Sequence, residues 1–154
     1  VGKLLKSVDK YMFIGEYKHT IDSKKRLAIP SKFRKELKEK AIITRGLDQC
    51  LVLYPIKEWE KMSKKLENLP TSQIEARNFA RIMLSGASEV EFDKLGRILI
   101  PDFLKNYAFL KKNAAILGIS NRIEIWDEEK WQEYKKKTEM VVGDIAEKLK
   151  ELGV

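Results

Sequence analysis

The chain has 154 residues and carries 31 Lys/Arg against 23 Asp/Glu, a net charge of +8. Its apolar fraction of 44% excludes a collagen-like or disordered chain, and no apolar run approaches the roughly 20 residues of a membrane helix. The segment VGKLLKSVDKY (1–11) lacks the apolar stretch and cleavage site of a secretory signal, and the lone Cys50 excludes an internal disulfide, so a cytoplasmic location is expected.

In chain order, Gly15 to Ile21 reads as a strand that enters a polar turn led by Asp22. A second strand, RLAIP (26–30), is stopped by its proline. SKFRKELKEK (31–40) places Phe33 and Leu37 four apart on a short amphipathic helix, and AIITRG and CLVLY then form a hairpin. Trp59, Met62, Leu66 and Leu69 keep helical spacing up to Pro70. Thr71 or Ser72 opens a second helix carrying Ile74, Phe79, Ile82 and Met83, which predicts a helical hairpin. The strand 89–92 enters a turn led by Asp93, followed by RILIP, a helix capped by Asp102, and the strands AAILGI and IEIW. From about Asp127 a long helix sets Trp131, Tyr134, Val141, Ile145, Leu149 and Leu152 close to heptad spacing. That face suits packing on its own chain or on a neighbouring subunit.

The order hairpin, helix, hairpin thus occurs twice. TIDSKKRLAIP (20–30) returns as EFDKLGRILIP (91–101), with Asp22, Arg26, Ile29 and Pro30 matched by Asp93, Arg97, Ile100 and Pro101 at an offset of 71. After one inserted residue, Leu51-Val52-Leu53-Tyr54 matches Ile123-Glu124-Ile125-Trp126. Copies of about 50 residues bury little apolar surface alone, so the two are expected to share one α+β core.

The positive charge is lopsided. Residues 1–45 hold 13 Lys/Arg against 5 Asp/Glu, while residues 46–154 hold 18 of each. A concentrated basic field favours polyanions, nucleic acid above all. Catalysis lacks its parts: His19 is the one histidine, and neither a G-x-x-x-x-G-K-[ST] nor a G-x-G-x-x-G loop occurs. No enzyme, metal or cofactor is expected.

An Asp that opens a polar turn accepts backbone N–H groups two residues on, and it can hold an arginine four residues on through a bidentate ion pair. On that reading Asp22 and Asp93 structure their turns. The first copy adds Lys24, Lys25, Lys32 and Arg34, cations that the turn geometry does not need. These, with Arg26, are the candidate DNA contacts. His19 is either a further contact or a plain surface residue.

From Met12 to about residue 135 the chain resembles the MraZ family, on MFIGEYKHTIDSKKRLAIPSKFR, CLVLYPIKEWE, SGASEVEFDKLGRILIP and IEIWDEEKW. The resemblance implies two tandem SpoVT-AbrB-like swapped-hairpin units that form an intramolecular pseudo-dimer with a β-barrel core. It implies a transcriptional regulator of double-stranded DNA, acting on repeated elements upstream of the division and cell-wall gene cluster and of its own gene. It also implies assembly into homo-oligomeric rings at the nucleoid. Arg26 and Arg97 match the family's motif arginines, and Asp22 and Asp93 its aspartates. Arg97 therefore joins the DNA set, although its copy is nearly neutral. The chain divides into an extension or added start (1–11), a DNA-binding first repeat (12–59), a helical connection (60–82), a second repeat (83–131) and a C-terminal helix (132–154). A general nucleoid- or RNA-binding ring, or a purely structural ring, is the competing class.

Overall fold

The computed structural model describes residues 11–154, so the N-terminal extension, apart from Tyr11, lies outside the described residues. The first copy contributes β1 (Phe13–Thr20), β2 (Arg26–Ala28), α1 (Ser31–Leu37), β3 (Lys40–Arg45) and β4 (Leu51–Pro55). Two helices follow, α2 (Ile56–Glu67) and α3 (Ile74–Ser85). The second copy repeats the order as β5 (Ser88–Glu91), β6 (Arg97–Leu99), α4 (Asp102–Tyr107), β7 (Asn113–Ser120) and β8 (Arg122–Asp127), and α5 (Glu128–Lys148) leads toward the C-terminus.

The copies exchange strands. The main sheet is antiparallel with the order β1-β7-β8-β4-β3-β5, so β1 of the first copy pairs with β7 of the second, and β5 pairs with β3. Exchanging the two copies reverses this order onto itself, which makes the sheet pseudo-two-fold. Between the copies β2 pairs with β6 as a separate two-stranded ribbon, in the register Arg26–Leu99, Leu27–Ile98 and Ala28–Arg97. The expected barrel is not closed. β1 and β5 remain the edges of the main sheet, because each polar turn carries the chain out of the sheet and the ribbon strands pair with one another.

One core serves both copies. Phe13, Leu27 and Phe33 of the first are buried with Ile98, Leu104 and Ile116 of the second. Phe33 presents its ring edge-on to Phe13 at 5.5 Å and to Tyr17 at 5.2 Å, tying α1 to β1. Alternation sets the ribbon's inner face: Leu27 and Ile98 are fully buried, while Arg26, Ala28, Arg97 and Leu99 face away. Both ribbon strands stop at proline as expected, and Pro30 and Pro101 flank α1 and α4.

Two local expectations differ. Asp102 does not cap α4. It is the first helical residue, Pro101 stands at the cap, and the Asp102 carboxylate pairs with Lys25. Neither Thr71 nor Ser72 caps α3, because the Gln73 N–H bonds to the Pro70 carbonyl in a preceding turn and the helix starts at Ile74. The long C-terminal helix does begin at Asp127, whose carboxylate accepts the Lys130 N–H. Only its first turns dock on the body. Trp131 Nε1 donates to Glu16 at 2.8 Å and Lys135 pairs with Glu16 at 3.2 Å, whereas Met140, Val141 and Ile145 stay exposed.

Candidate nucleic-acid interface

The two D-x-x-x-R phrases build the same turn. Asp22 Oδ1 accepts the N–H of Lys24 and of Arg26, both at 2.9 Å, and Oδ2 accepts Arg26 Nε at 2.7 Å. Asp93 accepts Leu95 N–H and Arg97 N–H at 2.9 Å and Arg97 Nε at 2.8 Å. The ion pair is therefore not the bidentate clasp expected from sequence. One carboxylate oxygen is taken by two backbone donors, which leaves a single oxygen for the guanidinium. The terminal amino groups of Arg26 carry no hydrogen bond among the described residues.

The ribbon brings the two turns together. Arg97 Nη1 lies 3.6 Å from Asp22 Oδ2, so Arg97 faces the carboxylates of both copies while Arg26 bonds to one. The ribbon is closed at both ends by backbone bonds, Ile29 N–H to the Gly96 carbonyl at 3.0 Å and Ile100 N–H to the Lys25 carbonyl at 2.9 Å.

Lys25 and Gly96 occupy equivalent turn positions with φ of +64° and +76°. Glycine adopts this left-handed conformation freely, whereas a residue with a Cβ pays about 1 kcal/mol or more. The first copy thus holds a lysine, paired with Asp102, at a position the second gives to glycine. Lys24 and Lys32 are exposed, one in the turn and one in the first turn of α1. Arg34 is half-buried: its Nε donates to the Ile29 carbonyl at 2.9 Å and its guanidinium lies over Gly96, where a Cβ would approach it to 2.3 Å. Arg34 therefore braces the second copy's turn. His19 sits on β1 opposite Ala114.

The pairings Arg97–Asp22, Lys25–Asp102 and Arg34 with Gly96 all cross between copies, and none was visible in sequence. The offset of 71 aligns the copies but says nothing about which strand of one meets which of the other. Among the described residues no group of three or more His, Cys, Asp or Glu is placed to hold a metal ion. Burial pushes the Cys50 thiol up to about 12, and its Sγ donates to the Leu47 carbonyl at 3.1 Å, so it stays protonated and inert.

The backbone N–H of Arg26 holds the Asp22 carboxyl below its ordinary value, and the N–H of Arg97 does the same for Asp93; the arginine side chains add to this and desolvation opposes it. A carboxyl whose folded pKa is depressed stabilises the fold above its unfolded pKa, and that contribution is lost as pH falls through the folded value. Thermal melts of the Asp22→Asn/Asp93→Asn double variant should show a lower melting temperature at neutral pH and a shallower decline below about pH 4. A decline parallel to that of the parent chain would show that these turns do not govern its acid limb.

The family model described as "MraZ protein, putative antitoxin-like" matches the chain twice, over residues 12–82 and 83–151. Similar proteins include the "Transcriptional regulator MraZ" of Halothermothrix orenii and that of Clostridium tetani. Each is 50% identical over 143 residues, which is 93% of this chain and all of the relative. The protein of the same name from Caldicellulosiruptor saccharolyticus is 51% identical over the same coverage. With two matches that together span the sheet, the ribbon and the helices, and with relatives at half identity over their full length, the chain belongs to the MraZ family.

Proposed function

We propose that the chain is a DNA-binding transcriptional regulator whose β2–β6 ribbon and first-copy cations meet the duplex. The observation that carries this is the ribbon itself. It presents Arg26 and Arg97 on its outward face, with Lys24, Lys25 and Lys32 supplied by the first copy alone. A two-stranded ribbon has the width that the major groove admits, and an arginine with free terminal amino groups suits the guanine edge. The name of these relatives, transcriptional regulator, supports the same reading. In it Asp22 and Asp93 hold the turns, Arg26 reads bases, and the lysines meet phosphates. Arg34 and Arg97 contribute charge while bracing the ribbon.

The strand exchange between copies supports a swapped-hairpin pseudo-dimer, with the first repeat (12–59) as the DNA-binding half. The targets we propose are repeated elements upstream of the division and cell-wall gene cluster and of the chain's own gene, engaged at the nucleoid. A homo-oligomeric ring suits such repeats, since linked weak sites gain from effective concentration. The exposed apolar residues of α3 (Ile74, Phe79, Ile82) and α5 (Met140, Val141, Ile145) offer surface for subunit contact.

The test is a titration of the full chain against its own upstream duplex and a scrambled duplex, over a range of salt, with sedimentation of the bound species. The expected result is preference for the upstream duplex, several chains per complex, and log K falling with log salt at about −0.9 per phosphate contacted, for roughly 4–6 phosphates per subunit. Equal binding to both duplexes would favour a general nucleoid or RNA binder. An affinity indifferent to salt would overturn phosphate contact altogether.

A further inference from the structure

The ribbon's outward face has four corners, set by the register Arg26–Leu99 and Ala28–Arg97. The two arginines stand on one diagonal, and Ala28 and Leu99 on the other. The pseudo-two-fold relation makes Ala28 and Leu99 equivalent positions, yet one carries a methyl and the other an isobutyl group. Leu99 is 59% exposed, although its neighbours Ile98 and Ile100 are buried in the core. It lies directly across the ribbon from Arg26, where paired side chains of an antiparallel strand pair are about 5 Å apart. That spacing is between one and two base-pair steps of duplex DNA, at about 3.4 Å each.

We infer that Leu99 is a specificity residue that packs on the 5-methyl group of a thymine beside the guanine read by Arg26. The inference rests on the DNA-binding reading above. The thymine methyl is the one apolar group that the base edges present in the major groove, and apolar side chains recognise it. A leucine on a ribbon between cations has no polar function there, and contact with that methyl removes its exposed surface from water. Ala28, beside Arg97, is too short to make the same contact. The ribbon is therefore asymmetric in what it reads: a guanine with a neighbouring thymine at the Arg26 side, and no methyl contact at the Arg97 side. Two equivalent strands would favour a palindromic site, and this difference on the outward face, added to the first copy's extra lysines, directs the ribbon along a non-palindromic repeat.

The experiment selects preferred duplexes from a random pool with the full chain. Each thymine of the selected duplex is then replaced singly by deoxyuridine, which removes only the methyl. The expected result is that one replacement, within two steps of a guanine, weakens the parent chain roughly three- to fivefold. Leu99→Ala should be weakened to a similar degree on the thymine duplex and should not respond to that replacement. A parent chain that selects a sequence yet ignores every methyl overturns the role of Leu99 and leaves the DNA-binding reading standing. So does a Leu99→Ala chain that still senses the methyl, or one whose sedimentation shows a changed assembly, which would assign Leu99 to contacts between copies. A parent chain that selects no sequence overturns the regulator reading and this inference with it.

Discussion

Arg26→Ala is expected to weaken binding to the upstream duplex roughly ten- to a hundredfold with little change in melting temperature, whereas Arg97→Ala is expected to lower the melting temperature first. A bidentate contact to a guanine contributes on the order of 1–3 kcal/mol of discrimination, and the proposed assembly would multiply the loss over every engaged subunit. The intramolecular roles of the two arginines are unequal. Arg26 bonds Asp22 through Nε, and its terminal amino groups carry no hydrogen bond among the described residues. Arg97 bonds Asp93 and also faces Asp22 across the ribbon, so its removal loosens the turns of both copies. Lys24, Lys25 and Lys32 add to the field around Arg26, and their second-copy counterparts are Leu95, Gly96 and Phe103. Titration of both variants on one duplex, beside their thermal melts, separates the effects. Equal losses of affinity with unchanged melts would show that the two copies read DNA alike.

Gly118→Val is expected to be the most damaging single change to the fold, costing about 3 kcal/mol or more and on the order of 10 °C in melting temperature. Gly118 lies on β7 opposite Gly15 of β1. A Cβ there would meet Ile14 N at 2.4 Å and Phe13 C at 2.5 Å, both backbone atoms, so no side chain can turn aside to make room. Strand β1 would have to leave β7, and Phe13 and Tyr17 would leave Phe33 with it. Because β1 belongs to one copy and β7 to the other, the damage falls on the joint that unites them. Gly143→Ala is the control. Gly143 lies within α5 with nothing within 4 Å of its Cβ position, so alanine should stabilise the helix by about 0.5–1 kcal/mol. A Gly118→Val chain that melts like the parent would contradict the close approach of β1 to β7.

The parts of this protein that depend on near neighbours in the chain were determined by the sequence alone. An aspartate two and four residues before its donors makes the same turn twice, since those hydrogen bonds lie within four residues and need no outside help. Alternation placed Leu27 and Ile98 inward, proline ended both ribbon strands, and helical spacing marked α2 and the start of α5. The asymmetry of charge was equally legible, because it is a count.

Only the tertiary structure decided which copy each strand pairs with. The two hairpins carry nearly the same apolar pattern, so pairing within a copy and pairing across copies satisfy the sequence equally. The shared core selects the second, joining β1 to β7 and β5 to β3 and leaving the main sheet open. From that choice follow the features no spacing predicted: Arg97 beside Asp22, Asp102 drawn to Lys25 instead of capping α4, Arg34 laid over Gly96, and Leu99 set opposite Arg26. Each joins residues about 60 to 80 positions apart, and contacts at that range are decided by how the core closes and by nothing within reach of either residue along the chain.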